Sequence, residues 1–575
     1  MTSVDRGDDP YAARPWLASY PPNTPADLDP NSYSTLTKMF RDSVAAYPGR
    51  MALESFGASL TYAEFGKQAD AVASWLQSQG LAKGDRVAIM APNIMAYPVV
   101  LFGALLAGGV VVNVNPLYTP DELEHQINDS NARILFVMEN FAHTVAAAWT
   151  DMMLKTVVVV APGDLLGVRG VVVNFVSRWV KRAVPPFKLP SSISLAEVLG
   201  AGAQTPPRPV EISRDDIAFL QYTGGTTGVA KGAVLLHSNV AANVEQTLSW
   251  LRQYLPQDGH QVMVAALPLY HIFGLTACCM LMVRIGAASL LIANPRDIAG
   301  FAKTLRKSYF TLFSGVNTLY SALADQPEFA EADFSHLIYC VAGGMATQDS
   351  VAMKWKQLTG KPILEGYGLS ETSPILTINS PDLQEFSGAI GYPQASTLVT
   401  IRLEDGSPAP VGERGELWVK GPQVMPGYWN RPDETAKVMT SDGFFRTGDI
   451  AVMAPDGLFK IVDRLKEMIL VSGFNVYPNE VENALAHHPQ VKEAAVIGVP
   501  DPHSGEAPMA FVVRRDPSLT AEELHKFLRE TLTSYKVPRL YEFRDVLPKS
   551  TVGKILRRVL RDEYLARKKD APAAP

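Results

Sequence analysis

YTGGTTGVAKGA, residues Tyr222 to Ala233, is the stretch from which the rest of this sequence can be read. Gly224, Gly225 and Gly228 let the backbone turn where a Cβ would clash. Thr223, Thr226 and Thr227 add short hydroxyl donors and Lys231 adds a cation. Backbone amides and hydroxyls arranged this way wrap oxyanions such as phosphates. The preceding IAFLQ (217–221) reads as a short buried strand, so the loop leaves a sheet edge. It is not a Walker A loop, because Lys231 stands between Ala230 and Gly232 and the Gly-Lys-Ser/Thr run is missing. Taken alone, the stretch also reads as a flexible Gly/Thr turn.

A chain of 575 residues is too long for one core and implies two or more domains. With 47% hydrophobic and 19% charged residues, the composition is that of a soluble globular enzyme. A net charge of −6 argues against general nucleic-acid binding, which needs a basic surface. The three cysteines, Cys278, Cys279 and Cys340, lie in apolar runs and read as core-filling thiols in a reducing compartment. The polar, acidic start carries no secretory signal, so the expected location is cytoplasmic. The apolar run 96–112 contains Pro98 and falls short of the ~20 residues that span a bilayer. It reads as a buried helix running into a strand.

Residues up to about Pro30 are rich in Pro, Asp and Asn and read as an extended arm. Thereafter short Val/Ile-rich strands (85–93, 110–116, 132–137, 156–162) alternate with helical stretches, as in a sheet with helices on its faces. The segment 165–188 differs, with Arg169, Arg178, Lys181, Arg182 and Lys188 and no acidic residue after Leu165. On a helix, Val172, Phe175, Val176, Trp179 and Val180 share one face, opposite Asn174, Ser177, Arg178, Lys181 and Arg182. Two readings stand: an amphipathic helix lying on membrane lipid, or a surface helix packed on its own protein with a solvated basic face.

Downstream lie the other candidate groups. His271, in ALPLYHIFGL, reads equally as a pocket residue or a satisfied core histidine. Phe273, Leu275, Cys278 and Met280 can line an apolar pocket. Gly343-Gly344 and, further on, Glu365-Gly366-Tyr367-Gly368 end two apolar strands, making a crevice for a flat base with Tyr367 as one wall. Glu371 offers a carboxylate for a Mg²⁺-phosphate site, or simply a helix cap. Asp449, after a Thr-Gly turn, suits a ribose diol, which needs two acceptors. The charged run Asp463-Arg464-Leu465-Lys466-Glu467 between two apolar strands reads as a solvated domain linker. Lys554 follows Gly553 on a turn before a helix, where it also reads as one more cation beside Arg557 and Arg558.

In order and spacing, YTGGTTGVAKG, LPLYHIFG, YGLSET, RTGD, DRLKEMILVSGFNVYP and PKSTVGKILRR resemble the adenylate-forming superfamily, over roughly residues 36–562. FNVYPNEVE and YKVPRLYEFRDVLPKSTVGKILRR are most similar to bacterial long-chain fatty-acid–CoA ligases. The resemblance implies an α/β fold: a large N-terminal domain (1–465) of sheets flanked by helices plus a distorted β-barrel, and a small mobile α+β domain (466–575). It implies that a fatty acid, ATP and CoA are joined through an acyl-adenylate, with Mg²⁺. By position, Tyr222 to Gly228 and Lys231 then cover the β/γ-phosphates. Gly343, Gly344, Glu365, Gly366, Tyr367 and Gly368 hold the adenine, and Asp449 and Arg464 the ribose. Thr372 reaches the α-phosphate, Glu371 with Thr223 holds Mg²⁺, Lys466 is the hinge and Lys554 the catalytic lysine. His271, Phe273 and Leu275 face the acyl group, although Leu275 stands where some long-chain members place a bulky aromatic gate. A peripheral seat on the inner face of the membrane and a homodimer are both compatible with this. Three rivals stand beside it: a medium-chain or aryl acid ligase, an enzyme that loads a carrier protein, and a non-catalytic lipid or nucleotide sensor.

Overall fold

The computed structural model of the protein describes residues 9–190, 192–223, 230–256, 260–472, 474–550 and 553–570. Two large sheets make the body of the chain. In the seven-stranded sheet, six strands run parallel in the spatial order Ser192–Ser194, Thr156–Val160, Ile134–Met138, Arg86–Met90, Val110–Asn113, Ile217–Thr223. The antiparallel strand Lys231–Leu236 closes its edge. Strands buried on both faces need continuous apolar runs, which is why TVVVV and ILFVM serve here. The nine-stranded sheet has a parallel centre that includes Leu312–Gly315, Tyr339–Ala342 and Ile363–Gly368, with antiparallel strands at both ends. The apolar run 96–112 is indeed a helix, Ala96–Leu106, buried on every side, followed by the strand Val110–Asn113.

A four-stranded antiparallel sheet, Leu398–Arg402, Gly415–Lys420, Phe445–Met453 and Phe459–Arg464, stands where a distorted barrel was expected. Its outer strands do not pair with each other, so it is an open sheet and no closed barrel exists among the described residues. The N-terminal arm also corrects its expectation. Trp16 is fully buried and packs edge-on against Phe459, while the hydroxyls of Tyr11 and Tyr20 donate to the carbonyls of Ala409 and Pro393. Residues 9–30 are therefore strapped along the body of the fold rather than extended from it.

The C-terminal small domain has a five-stranded sheet and its own apolar clusters. Helices Pro478–Ala486 and Arg557–Asp570 pack on its long strand Val491–Asp501. The charged run that reads as a linker is only partly solvated: Leu465 and Lys466 are exposed on a single tight turn, whereas Asp463 is fully buried.

Candidate active site

The strands Tyr339–Ala342 and Ile363–Gly368 are parallel neighbours with Ala342 beside Glu365, so the two glycine turns emerge side by side. Crowding by neighbouring segments explains two of the glycines. A Cβ on Gly368 would lie 1.8 Å from the Pro374 carbonyl oxygen, and one on Gly343 would lie 2.9 Å from the Phe273 ring. The buried Glu365 carboxylate accepts a hydrogen bond from the Thr347 amide at 3.0 Å and so ties the first turn to the second. Burial pushes its carboxyl up to about 7.

Asp449 and Arg464 face each other across the antiparallel strands Phe445–Met453 and Phe459–Arg464. Arg464 Nε lies 3.2 Å from Asp449 Oδ1, and the Tyr367 hydroxyl donates to Oδ2 at 2.5 Å. The half-buried Tyr367, from a third strand, thus joins the base crevice to the buried carboxylate.

Thr223 ends one strand of the seven-stranded sheet and Lys231 begins the next, paired in register. The residues between them that were assigned to the phosphates, Gly224, Gly225, Thr226, Thr227 and Gly228, lie outside the described residues. Lys231 is ion-paired with Glu434 and sits 5.4 Å from the centre of the Tyr428 ring. The Tyr428 hydroxyl in turn donates to Glu371 Oε1 at 2.7 Å. Sequence reasoning missed both Tyr428 and Glu434, since nothing in PGYWNRPDET marks them as neighbours of a loop some two hundred positions earlier.

Five candidate residues are differently occupied from what was expected. Tyr222 is buried and its hydroxyl donates to Asp129 Oδ2 at 2.6 Å, so the ring anchors the strand. Thr372 has no exposed surface, and its hydroxyl is spent inside its own turn on the carbonyls of Leu369 and Pro374, at 3.1 and 2.5 Å. To reach an α-phosphate it must give up those bonds. Leu275, Cys278 and Met280, expected to line an acyl pocket, are fully buried in the main core on a widened helical stretch, Gly274–Met280. Leu275 packs against protein there. His271 and Phe273, by contrast, keep part of their surface open.

Lys554 belongs to the small domain yet lies within electrostatic reach of this cleft. Burial pushes its ammonium down from 10.5 to about 8. The Arg464 cation acts in the same direction, against the carboxylates of Glu467 and Asp449. Burial, with the Lys554 cation adding to it, pushes His271 down to about 4. The turn that presents Lys554 is held by Ser550, whose amide donates to the Lys554 carbonyl at 2.7 Å and whose Oγ accepts from the Lys554 amide at 3.1 Å.

Among the described residues no group of three or more His, Cys, Asp or Glu is gathered to hold a metal. A lone Glu371 carboxylate fits Mg²⁺, which is commonly held by one or two carboxylates together with substrate phosphates.

Two glycine turns at neighbouring strand ends, a buried carboxylate paired with an arginine, and a lysine from the small domain are thus gathered in one region of the fold. The chain belongs to the AMP-binding enzyme family, whose model matches residues 40–429, with the family's C-terminal domain matching 480–554. It is 52% identical to a long-chain-fatty-acid–CoA ligase of Yersinia pestis, over 95% of this chain and 98% of that one. It is 48% identical to one of Haemophilus influenzae, over 96% of this chain and 99% of that one. Among solved structures, ATP-bound MatB from Rhodopseudomonas palustris superposes with a TM-score of 0.79 at 28% identity, covering 92% of this chain and 99% of that one.

Proposed function

We propose that this protein joins a long-chain fatty acid to CoA, using ATP and passing through an acyl-adenylate. The observation that carries this reading is that Lys554, from the small domain, lies within electrostatic reach of Asp449, Arg464 and His271. The relatives at about half identity, named for long-chain fatty acids, support the choice of acid.

In the first half-step a carboxylate oxygen attacks the α-phosphorus and the bond to pyrophosphate breaks. Two anions must meet, so cations have to cancel charge in a site shielded from water. Lys554 serves the carboxylate and α-phosphate, and Lys231 the β- and γ-phosphates after leaving Glu434. The glycine turns and Tyr367 take the adenine, and Asp449 with Arg464 the ribose. Mg²⁺, when bound, adds further charge cancellation, with Glu371 as its protein ligand. In the second half-step the CoA thiol attacks the acyl carbon and AMP leaves. That step needs a different opening, which the domain division 1–465 and 466–575 supplies by rotation about the exposed Lys466.

The helix at Val168–Phe175 and its continuation to Val180 extend this reading to a lipid surface. Part of its polar side is tied to the body: Arg178, still 46% exposed, makes three hydrogen bonds of 2.7–3.1 Å to the buried Glu139 carboxylate, and Asn174 Oδ1 accepts from the Gly163 amide. Val168, Val171, Val172, Phe175, Trp179 and Val180 are left facing outward, with Trp179 71% exposed. An outward apolar face ringed by Lys181, Arg182 and Arg169 suits an anionic membrane surface, the inner leaflet, near which fatty acids partition. No helix among the described residues is long and apolar enough to cross a membrane.

Pyrophosphate release measured across a ladder of fatty acids, with and without CoA, tests the reaction. Release that peaks with long chains, and thioester only when CoA is present, is expected. No release with any fatty acid overturns it. For the lipid contact, Trp179→Glu is expected to abolish partition onto anionic vesicles, and unchanged partition refutes it.

A further inference from the structure

Arg557 and Arg558 look alike in the sequence, but the structure treats them oppositely. The Arg558 side chain is 56% exposed, whereas that of Arg557 is 15% exposed and surrounded by carboxylates from three segments. Arg557 Nε donates to Glu482 Oε1 at 2.9 Å and Nη2 to Glu482 Oε2 at 2.6 Å. It also donates to Glu467 and to Asn479 Oδ1, and its Nη1 lies 3.7 Å from Asp463 Oδ1. Asp463 has no exposed side-chain surface and accepts a hydrogen bond from the Asn479 amide at 2.8 Å.

These partners divide by domain. Asn479 and Glu482 lie on Pro478–Ala486, which packs on the same small-domain strand as the helix beginning at Arg557. Their contacts travel with Arg557 in any rigid rotation of that domain. Asp463 instead belongs to the strand Phe459–Arg464 of the four-stranded sheet, paired with Ile450 next to Asp449. Glu467 sits at the turn between them. Rotation about Lys466 therefore leaves Glu482 and Asn479 bonded to Arg557 but strips Arg557 and the Asn479 amide from Asp463. The Arg464 amide, 2.8 Å from Asp463 Oδ1, stays in place, but a buried carboxylate stripped of its cation and of one of its two amide donors is disfavoured unless water replaces them.

Resting on the two-step reading above, we propose that Arg557 is a conformation-specific positioning residue. It latches the small domain to Asp463 in the arrangement that carries Lys554, three residues away, into the cleft, and it releases when the domain turns for thiol capture. The latch and the lysine share one turn and helix start, so seating one seats the other. Gly553, on the same turn, leaves no room toward the large domain, since an added Cβ would lie 2.6 Å from Thr318 Oγ1.

The test uses the full chain with Asp463→Asn, which keeps shape and removes charge, and Arg557→Lys, which keeps charge and removes the planar fork. Arg558→Ala is the control. A spin-label pair at the exposed positions Met353 and Val546, introduced as M353C and V546C, reports the inter-domain distance without any substrate. The three native cysteines are buried. The expected result is a single main distance in the parent and in Arg558→Ala, and a second, displaced population in Asp463→Asn and Arg557→Lys. In the same two variants, fatty-acid-dependent pyrophosphate release falls by about tenfold or more, while thioester formation from supplied acyl-adenylate changes by less than about twofold. Unchanged distances in Asp463→Asn, or equal loss in both half-reactions, overturn the latch. A parent that releases no pyrophosphate fails the reaction reading instead, and the distance measurement still decides the latch.

Discussion

Moving the pH from 7 to 9 tests Lys554 without changing the chain. Its ammonium is pushed down from 10.5 to about 8, chiefly by burial. The charged form is the low-pH form, so the cation is present below about 8 and is lost above it. A group titrating there is about nine-tenths charged at pH 7 and about one-tenth at pH 9, a loss of nearly a factor of ten. If adenylation requires the ammonium, kcat/KM for pyrophosphate release falls about tenfold over that interval. Phosphates in the bound nucleotide favour the charged form, so the corresponding limb in kcat lies at higher pH. Glu365, pushed up to about 7, titrates nearby and must be separated from Lys554. Lys554→Arg does this: a guanidinium stays charged throughout, so the basic limb vanishes whatever the absolute rate. The assay is initial-rate pyrophosphate release with palmitate in a constant-ionic-strength buffer series. A parent profile flat to pH 10, or the same basic limb in Lys554→Arg, refutes the assignment.

Gly553→Ala introduces a Cβ 2.6 Å from Thr318 Oγ1 at a backbone φ of +80°, and is expected to slow adenylation more than thioester formation. Adding Thr318→Ala relieves the steric part, so stopped-flow rates of the double variant should recover partially. Leu275→Ala opens a cavity in the main core and costs about 2–5 kcal/mol in urea unfolding, with no change of preferred acyl length. A shifted length preference would restore Leu275 as a gate. Glu434→Gln removes the carboxylate that pairs with Lys231 and is expected to lower the KM for ATP several-fold and to lower kcat with it by slowing pyrophosphate exit, read from initial rates. An unchanged KM removes the pairing from the binding step.

What could be read in advance depended on how local each feature is. The glycine turns at 343–344 and 366–368 announce themselves because each needs only its own strand end and the next one. Asp449 was singled out by its own turn and Arg464 only by the resemblance, while their pairing depends on the register of two antiparallel strands. The Tyr428–Glu371 bond, the Lys231–Glu434 pair and the Arg557 cluster join segments that only the fold brings together, so no spacing rule exposes them. Helical periodicity put Val172, Phe175 and Trp179 of the 165–188 segment on one face and Arg178 on another. It did not tell that Glu139 would tether Arg178 and leave the apolar side outward. The burial of Leu275 was not legible, because an apolar run beside a pocket motif looks the same whether it lines a channel or fills a core.

If Lys231 grips the β- and γ-phosphates as proposed, its pairing with Glu434 bears on how the enzyme empties as well as how it fills. An ammonium that already has an anionic companion trades one partner for another when a polyphosphate arrives, which makes capture gentler than it would be for a bare cation. The trade runs backward as readily: once the nucleotide has been cleaved, the waiting carboxylate competes for the lysine and loosens the departing pyrophosphate. Turnover then depends on the rivalry of two acids for one base, and a tighter grip on ATP would come with a slower exit for what is left of it.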